Sequence, residues 1–282
     1  MDFPISKLYN GKDIYLHGLG RELQKHNFSR YNLPKSLRTY YYWIEDKKPI
    51  NLEDLKKLLS KRMIFKCLEK TNIISAYSSP HKIKIPKKID KNLAYLCGYH
   101  MGDGSLSTKT LTVEYMDDIS QLEKISRIYD STFGISLKIK KCSTKKAYNS
   151  YFTSRALAYL LHLCLELPIG RKERLFYPSW INAQLRKPFV VGFLDAEFGI
   201  GRKKFQFSGS SVDKNFLKKI QCDLESFGLS TKLYGPYKSA GDPRPRWFLK
   251  NSKKEAITFI KRYKLLTHPV GLATLNTYAP VV

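Results

Sequence analysis

The chain of 282 residues contains no uninterrupted apolar run approaching the roughly 18–20 residues that span a bilayer. Its opening segment, MDFPISKLYNGKD, also lacks the apolar core of a secretion signal. A membrane partner and export are therefore not expected, and a cytoplasmic, intracellular setting is. The five cysteines, Cys67, Cys97, Cys142, Cys164 and Cys222, are odd in number and form no CxxC pair, so reduced thiols are expected rather than disulfides or zinc ligands. Six histidines show no HExxH spacing, and there is neither a Walker A loop nor a GxGxxG after a strand. Nucleotide-driven chemistry has no support. Acids are few beside the bases: 24 Asp and Glu face 50 Lys and Arg, a formal net charge of +26.

An apolar share of 43% leaves enough material for a folded core, so the charge sits on a globular body rather than a basic tail. Such a body repels itself unless a polyanion is its partner, and nucleic acid is the leading one. The excess is spread out. Residues 1–90 hold 19 basic and 9 acidic side chains, and the remainder carries the other +16. Both parts are expected to touch the polyanion.

Residues 1–77 read as a small helical, helix-turn-helix-like module. An amphipathic stretch through Leu19 and Leu23 is followed by the turn NFSRYNLP, a helix from KSLRTYYYWIEDKK, and a third helix capped by Asn51 with Glu53 and Asp54 in its first turn. Lys35, Ser36, Arg38 and Thr39 are the residues a recognition helix would offer to DNA. Residues 78–92, with prolines among lysines, read as a basic linker.

The rest, 93–282, is an internal repeat with halves at about 93–187 and 188–282. LAYLCGYHMGDG (93–104) matches FVVGFLDAEFG (189–199) at an offset of 94, which also lays FGIS (133–136) on FGLS (227–230). Each copy reads as helix, two strands, helix, two strands, helix, giving a pseudo-twofold α+β domain of αββαββα halves. Two copies in one chain make a monomer self-sufficient.

Each motif spaces small residues four apart, Gly98 with Gly102 and Gly192 with Ala196, which lets two helices pack backbone to backbone. An acid follows the second small residue both times, Asp103 and Glu197. Two carboxylates brought together repel unless a divalent cation lies between them. Hard oxygen ligands suit Mg²⁺ (or Mn²⁺), and on a basic surface the chemistry this implies is metal-assisted phosphodiester hydrolysis. Tyr99, His100 and Met101 read as helix-surface variants.

These residues resemble the LAGLIDADG (dodecapeptide, DOD-type) homing endonuclease family over about residues 90–282. The connector LPIGRKERLFYPSWI (167–181) looks like the family's Gly-x-Lys stretch. The resemblance implies Asp103 and Glu197 as catalytic, metal-holding acids and Lys172 as transition-state stabiliser or water activator. It also implies four-stranded saddles in successive major grooves of a long, nearly asymmetric double-stranded site. Lys138, Lys140, Lys203, Lys204, Gln206 and Lys232 are the expected saddle contacts. The N-terminal module resembles the helix-turn-helix domains that accompany some family members. Two departures stand out: Phe198 replaces the usual glycine after the second acid, and HPVGLATL (268–275) has Ala273 where a second lysine is expected. Alternatives are a DNA-binding regulator on a decayed nuclease scaffold and a maturase that grips intron RNA. With Met1 at its start and no splicing residues at its ends, the chain reads as a free-standing protein of a mobile element.

Overall fold

A computed structural model describes residues 1–278 apart from 27, 29–32, 34, 78, 144–146, 173, 202–205 and 240–241. After a 3-10 turn at Ile5–Asn10, the first layer is a four-stranded antiparallel sheet of order β2-β1-β3-β4, made by β1 (Ile14–Leu16), β2 (Ile50–Asn51), β3 (Ile73–Ala76) and β4 (Ser79–Lys84). Its inner face, Ile14, Leu16, Ile50, Ile74 and Ile83, is buried. Helices α1 (Gly20–Leu23), α2 (Leu37–Ile44), α3 (Leu52–Leu58) and α4 (Lys61–Lys70) complete this module.

The module was expected to be helical and helix-turn-helix-like, and it also carries this four-stranded sheet. The first helix is a single turn, Gly20–Leu23, whose opening N–H is held at 2.7 Å by Asp46 Oδ1. Asn51 caps α3 as expected, its Oδ1 accepting the Glu53 N–H at 2.8 Å, yet Ile50 and Asn51 also form a strand before it. Within the expected linker, residues 79–92 are not a solvated stretch. They contribute β4 to the sheet and bury Ile83, Ile85 and Ile89, apolar residues whose alternation was masked by the surrounding lysines. Asp90 then caps the next helix by accepting from Leu93 N at 2.8 Å.

The remaining chain contains the duplicated arrangement. The first half runs α5 (Lys91–Gly102), β5 (Ser105–Leu106), β6 (Thr112–Asp117), α6 (Ile119–Phe133), β7 (Lys138–Lys141), β8 (Tyr148–Thr153) and α7 (Arg155–Tyr159), which continues into a π-helical turn at Leu160–Cys164. The second half repeats it as α8 (Ala183–Glu197), β9 (Phe198–Gly201), β10 (Gln206–Ser211), α9 (Lys214–Ser226), β11 (Lys232–Ser239), β12 (Asp242–Asn251) and α10 (Lys254–Arg262). The sheets have matching orders, β5-β6-β8-β7 and β9-β10-β12-β11. A last helix, α11 (Pro269–Tyr278), follows.

Period-two alternation places each sheet. On β6, Val113 and Tyr115 point into the core while Thr112, Glu114 and Met116 point away. The outer face therefore carries Lys138, whose register partner is Tyr151, and Lys140, whose partner is Asn149. Beneath the second sheet, Phe193 and Phe216 meet edge to face at 5.0 Å, with Phe189 beside them. No helix among the described residues is long and apolar enough to cross a membrane.

Candidate active site

The centre of the molecule is the α5–α8 contact. A Cβ built on Gly98 would lie 1.9 Å from the Phe189 carbonyl oxygen, and one on Gly192 would lie 2.0 Å from that of Tyr95. The two contacts are related by the repeat, since each glycine meets the carbonyl three residues before the other. One turn on, a Cβ on Gly102 would lie 2.4 Å from Ala196 Cβ and 2.9 Å from Glu197 Cγ. The expected interface residues are thus brought together, and the helix ends carry Asp103 and Glu197 into one place. Tyr99, His100 and Met101 are buried core rather than helix surface, because the two helices are enclosed by both halves. His100 Nδ1 lies 3.0 Å from Tyr115 Oη, a packing role.

Phe198 replaces glycine through an exchange of bulk. In the first half Gly104 leaves room for His100, and Tyr115 fills the space above. In the second half Phe198 fills that space from the strand end, and its register partner Gly209, at the position equivalent to Tyr115, leaves the room. No left-handed cap is needed, since Phe198 is extended at φ −110°, ψ 143°.

Lys172 reaches the end of α5, where its Nζ donates to the carbonyl oxygens of His100 at 2.7 Å, Met101 at 3.3 Å and Gly102. The His100 carbonyl also accepts from Gly104 N at 3.1 Å, and the negative end of the helix dipole favours a cation there. Lys172 lines a cleft of about 380 Å³ with Asp103, Glu197, Ser211, Arg244 and Arg246. Burial lowers the Lys172 ammonium to about 8 against the pull of Glu197 and Asp103. Burial, the Glu197 charge and the Asp117 charge raise Asp103 to about 7. Glu197 is raised by burial, against Arg246 and Lys172.

A second cleft, of about 640 Å³, opens on the other side of Asp103 and is lined by Asp117, Asp118, Ala147, Asp195, Phe198, His268 and Gly271. The repeat relates the two clefts. Ser211 and Val212 stand at the offset of 94 from Asp117 and Asp118. Arg246 lies one step beyond the register partner of Ser211, as Ala147 lies one step beyond that of Asp117. Helix α11 closes this side with Val270, Gly271 and Thr274, and no lysine among the described residues lines it. One cleft is therefore basic and its twin acidic.

The acidic group was not anticipated. Asp117, Asp118 and His268 present ligand-type atoms all within 4.8 Å of one another. His268 Nε2 lies 3.1 Å from both Asp117 oxygens; burial lowers its pKa, but Asp117, Asp118 and Asp195 outweigh this and raise it. Asp195 is buried and accepts from Tyr95 Oη at 2.7 Å, from Thr267 N at 2.6 Å and from His268 N at 2.9 Å. The adjacent acids in MDD and the acid inside LDAE were the available signals; their meeting with His268 depends on the tertiary fold.

Of the expected DNA contacts, Ser36 caps α2 by accepting from Thr39 N at 3.3 Å, and Arg38 Nε donates to Tyr42 Oη at 2.8 Å. Lys35, Lys138, Lys140 and Lys232 are exposed, and Thr39 and Gln206 half-buried. Lys203 and Lys204 lie outside the described residues.

No protein-family model matches the chain. Over 180 residues it is 22% identical to a probable translation initiation factor IF-2 of Methanocaldococcus jannaschii, covering 61% of this chain and 15% of the relative. Over 160 residues it is 24% identical to a probable translation initiation factor IF-2 of Thermococcus kodakarensis, covering 55% and 13%. The chain thus spans less than a sixth of either curated relative. Among solved structures it is similar to I-DmoI in complex with DNA and Ca, at 19% identity and TM-score 0.46, covering 66% of this chain and 97% of that one. It is also similar to a mutant of I-SmaMI, at 11% and 0.40, covering 65% and 88%. A third is the N-terminal LAGLIDADG domain of DUF199/WhiA, at 9% and 0.42, covering 66% and 86%.

Proposed function

We propose that the protein is a site-specific endonuclease of double-stranded DNA that works with a divalent cation, Mg²⁺ or Mn²⁺, and that the Lys172 cleft carries the scission. The observation that supports this most is the pair Asp103 and Glu197, packed together at two helix ends on a chain of charge +26. Two acids raised by burial and, at Asp103, by the neighbouring charges oppose binding of a polyanion. They fit a hard divalent cation, which would be held by their oxygens and reverse that penalty. When bound, such an ion supplies a water of lowered pKa and a charge opposite the leaving oxygen.

The chain's own groups do the rest. Lys172 and Arg246 line the side of the cleft where a phosphate is neutralised, and the Lys172 ammonium, held at the end of α5, stabilises the charge that builds on the transferring phosphate and can return a proton to the leaving group. The water oxygen bonds to phosphorus as the bond from phosphorus to the 3′ oxygen breaks, leaving a 5′ phosphate and a 3′ hydroxyl. The exposed Lys138, Lys140 and Lys232 serve the flanking backbone, with Gln206 at the end of the second sheet. Arg38 and Thr39 on α2, with Ser36 as its cap and Lys35 just before it, extend the contact upstream.

The test is incubation with Mg²⁺ and DNA of the gene's own locus from which the gene has been removed, alongside Asp103→Asn. Cleavage by the parent and none by the variant is expected. Intact DNA with both proteins overturns the proposal.

A further inference from the structure

We propose that the outer face of the N-terminal sheet is a binding platform for single-stranded nucleic acid, where unpaired bases stack on Tyr15 and Tyr77 and phosphates meet Lys82 and Lys84. This surface lies outside both clefts and does not depend on the nuclease reading.

The sheet's alternation builds the platform. Ile14 and Leu16 on β1, Ile74 and Ala76 on β3, and Ile83 on β4 are all buried on the inner face. The intervening residues face outward. Tyr15 is paired across with Ser75, and Ile73 with Lys84. Tyr77, just past β3, is 83% exposed, an unusual state for so large a side chain. Its ring stacks on that of Tyr15 with centroids 6.3 Å apart and planes inclined at 26°. His17 Nε2 stands 2.9 Å from Ser75 Oγ, and Lys82 is close enough to depress the histidine together with burial.

Charge decides what covers it. None of the four strands contains an acid, and β4 brings two exposed lysines, Lys82 and Lys84, to the same outer face as the tyrosines. Asp13, which precedes β1, is engaged by Arg155. Stacked rings beside lysines match an unpaired strand, whose bases offer open faces along a charged backbone. A duplex offers no such faces, because each base pair is covered by its neighbours.

The experiment is fluorescence anisotropy of the full chain with a labelled single-stranded oligodeoxynucleotide, the same sequence as RNA, and the matching duplex. Loss of one base stack predicts about tenfold weaker single-strand binding for Tyr77→Ala. Tyr77→Phe should bind like the parent, and duplex binding should stay within about twofold for both variants, given the exposed site. The DNA and RNA arms show which sugar is preferred. Photo-crosslinking with 5-iodouracil in the single strand should label Tyr77 or Tyr15. Unchanged single-strand binding by Tyr77→Ala, or equal losses with single strand and duplex, would overturn the proposal.

Discussion

Gly98 sits so close to Phe189 that the backbone carbonyl of one helix occupies the place where a side chain on the other would start. Neither helix can retreat without separating the motif acids. Gly98→Ala should therefore destabilise the protein by at least about 1–3 kcal/mol, the usual range for overpacking, and lower divalent-ion affinity with it. Gly192→Ala should do the same. Urea unfolding checks the first effect and calorimetric titration with Mg²⁺ the second.

The exchange of bulk between Phe198 and Gly209 predicts compensation. Gly209→Ala alone places a methyl group about 2.1 Å from the Phe198 ring and should cost about 1–3 kcal/mol. Combined with Phe198→Ala, the added methyl should cost much less, giving a coupling energy of about 1 kcal/mol or more in a double-mutant cycle. Additive effects would mean that the two positions do not share one space.

The unlike clefts predict unequal strand scission. The basic cleft has Lys172 and Arg246, whereas its twin has Ala147, Gly271 and Thr274 beside Asp117 and Asp118. Supercoiled plasmid carrying the target should pass to open circles faster than to linear product. Lys172→Ala should slow nicking by about 100-fold or more, and Arg246→Ala by a smaller factor. Linear DNA formed without an open-circle stage would refute the asymmetry.

Protons and divalent ions should compete at Asp103. Its folded pKa of about 7 lies above the ordinary value of 3.8, so the folded chain holds more protons at this group than the unfolded chain between about pH 4 and 7. Its contribution to stability then falls as pH rises through that window. Lys172, lowered to about 8 from 10.5, acts oppositely, and its contribution rises with pH from about 8 to 10.5. Mg²⁺ should bind more tightly as pH rises towards 7 and relieve the loss at Asp103. Urea unfolding at several pH values, with and without Mg²⁺ and in Asp103→Asn, checks both signs.

Much of the architecture was legible. The offset of 94, the small-residue spacing and the alternating strands together specify two αββαββα halves, because helix and sheet periods are properties of local chain geometry. Legibility failed where lysines interleaved with isoleucines in 79–89, hiding a strand, and where Gly20 and Leu23 formed only one turn of helix. It failed again at Asp117, Asp118, Asp195 and His268, residues up to 151 positions apart that meet only after the halves close.

The amino-acid sequence by itself determined the duplicated fold, the pairing of Asp103 with Glu197 and the excess of positive charge. Each follows from spacing or composition, which act at short range or in sum. Tertiary structure alone decided that the two clefts are chemically unlike and that Phe198 is paired with Gly209. It also decided that the N-terminal sheet turns its tyrosines and lysines outward. Those features depend on which distant side chains share a volume, and no local period carries that information.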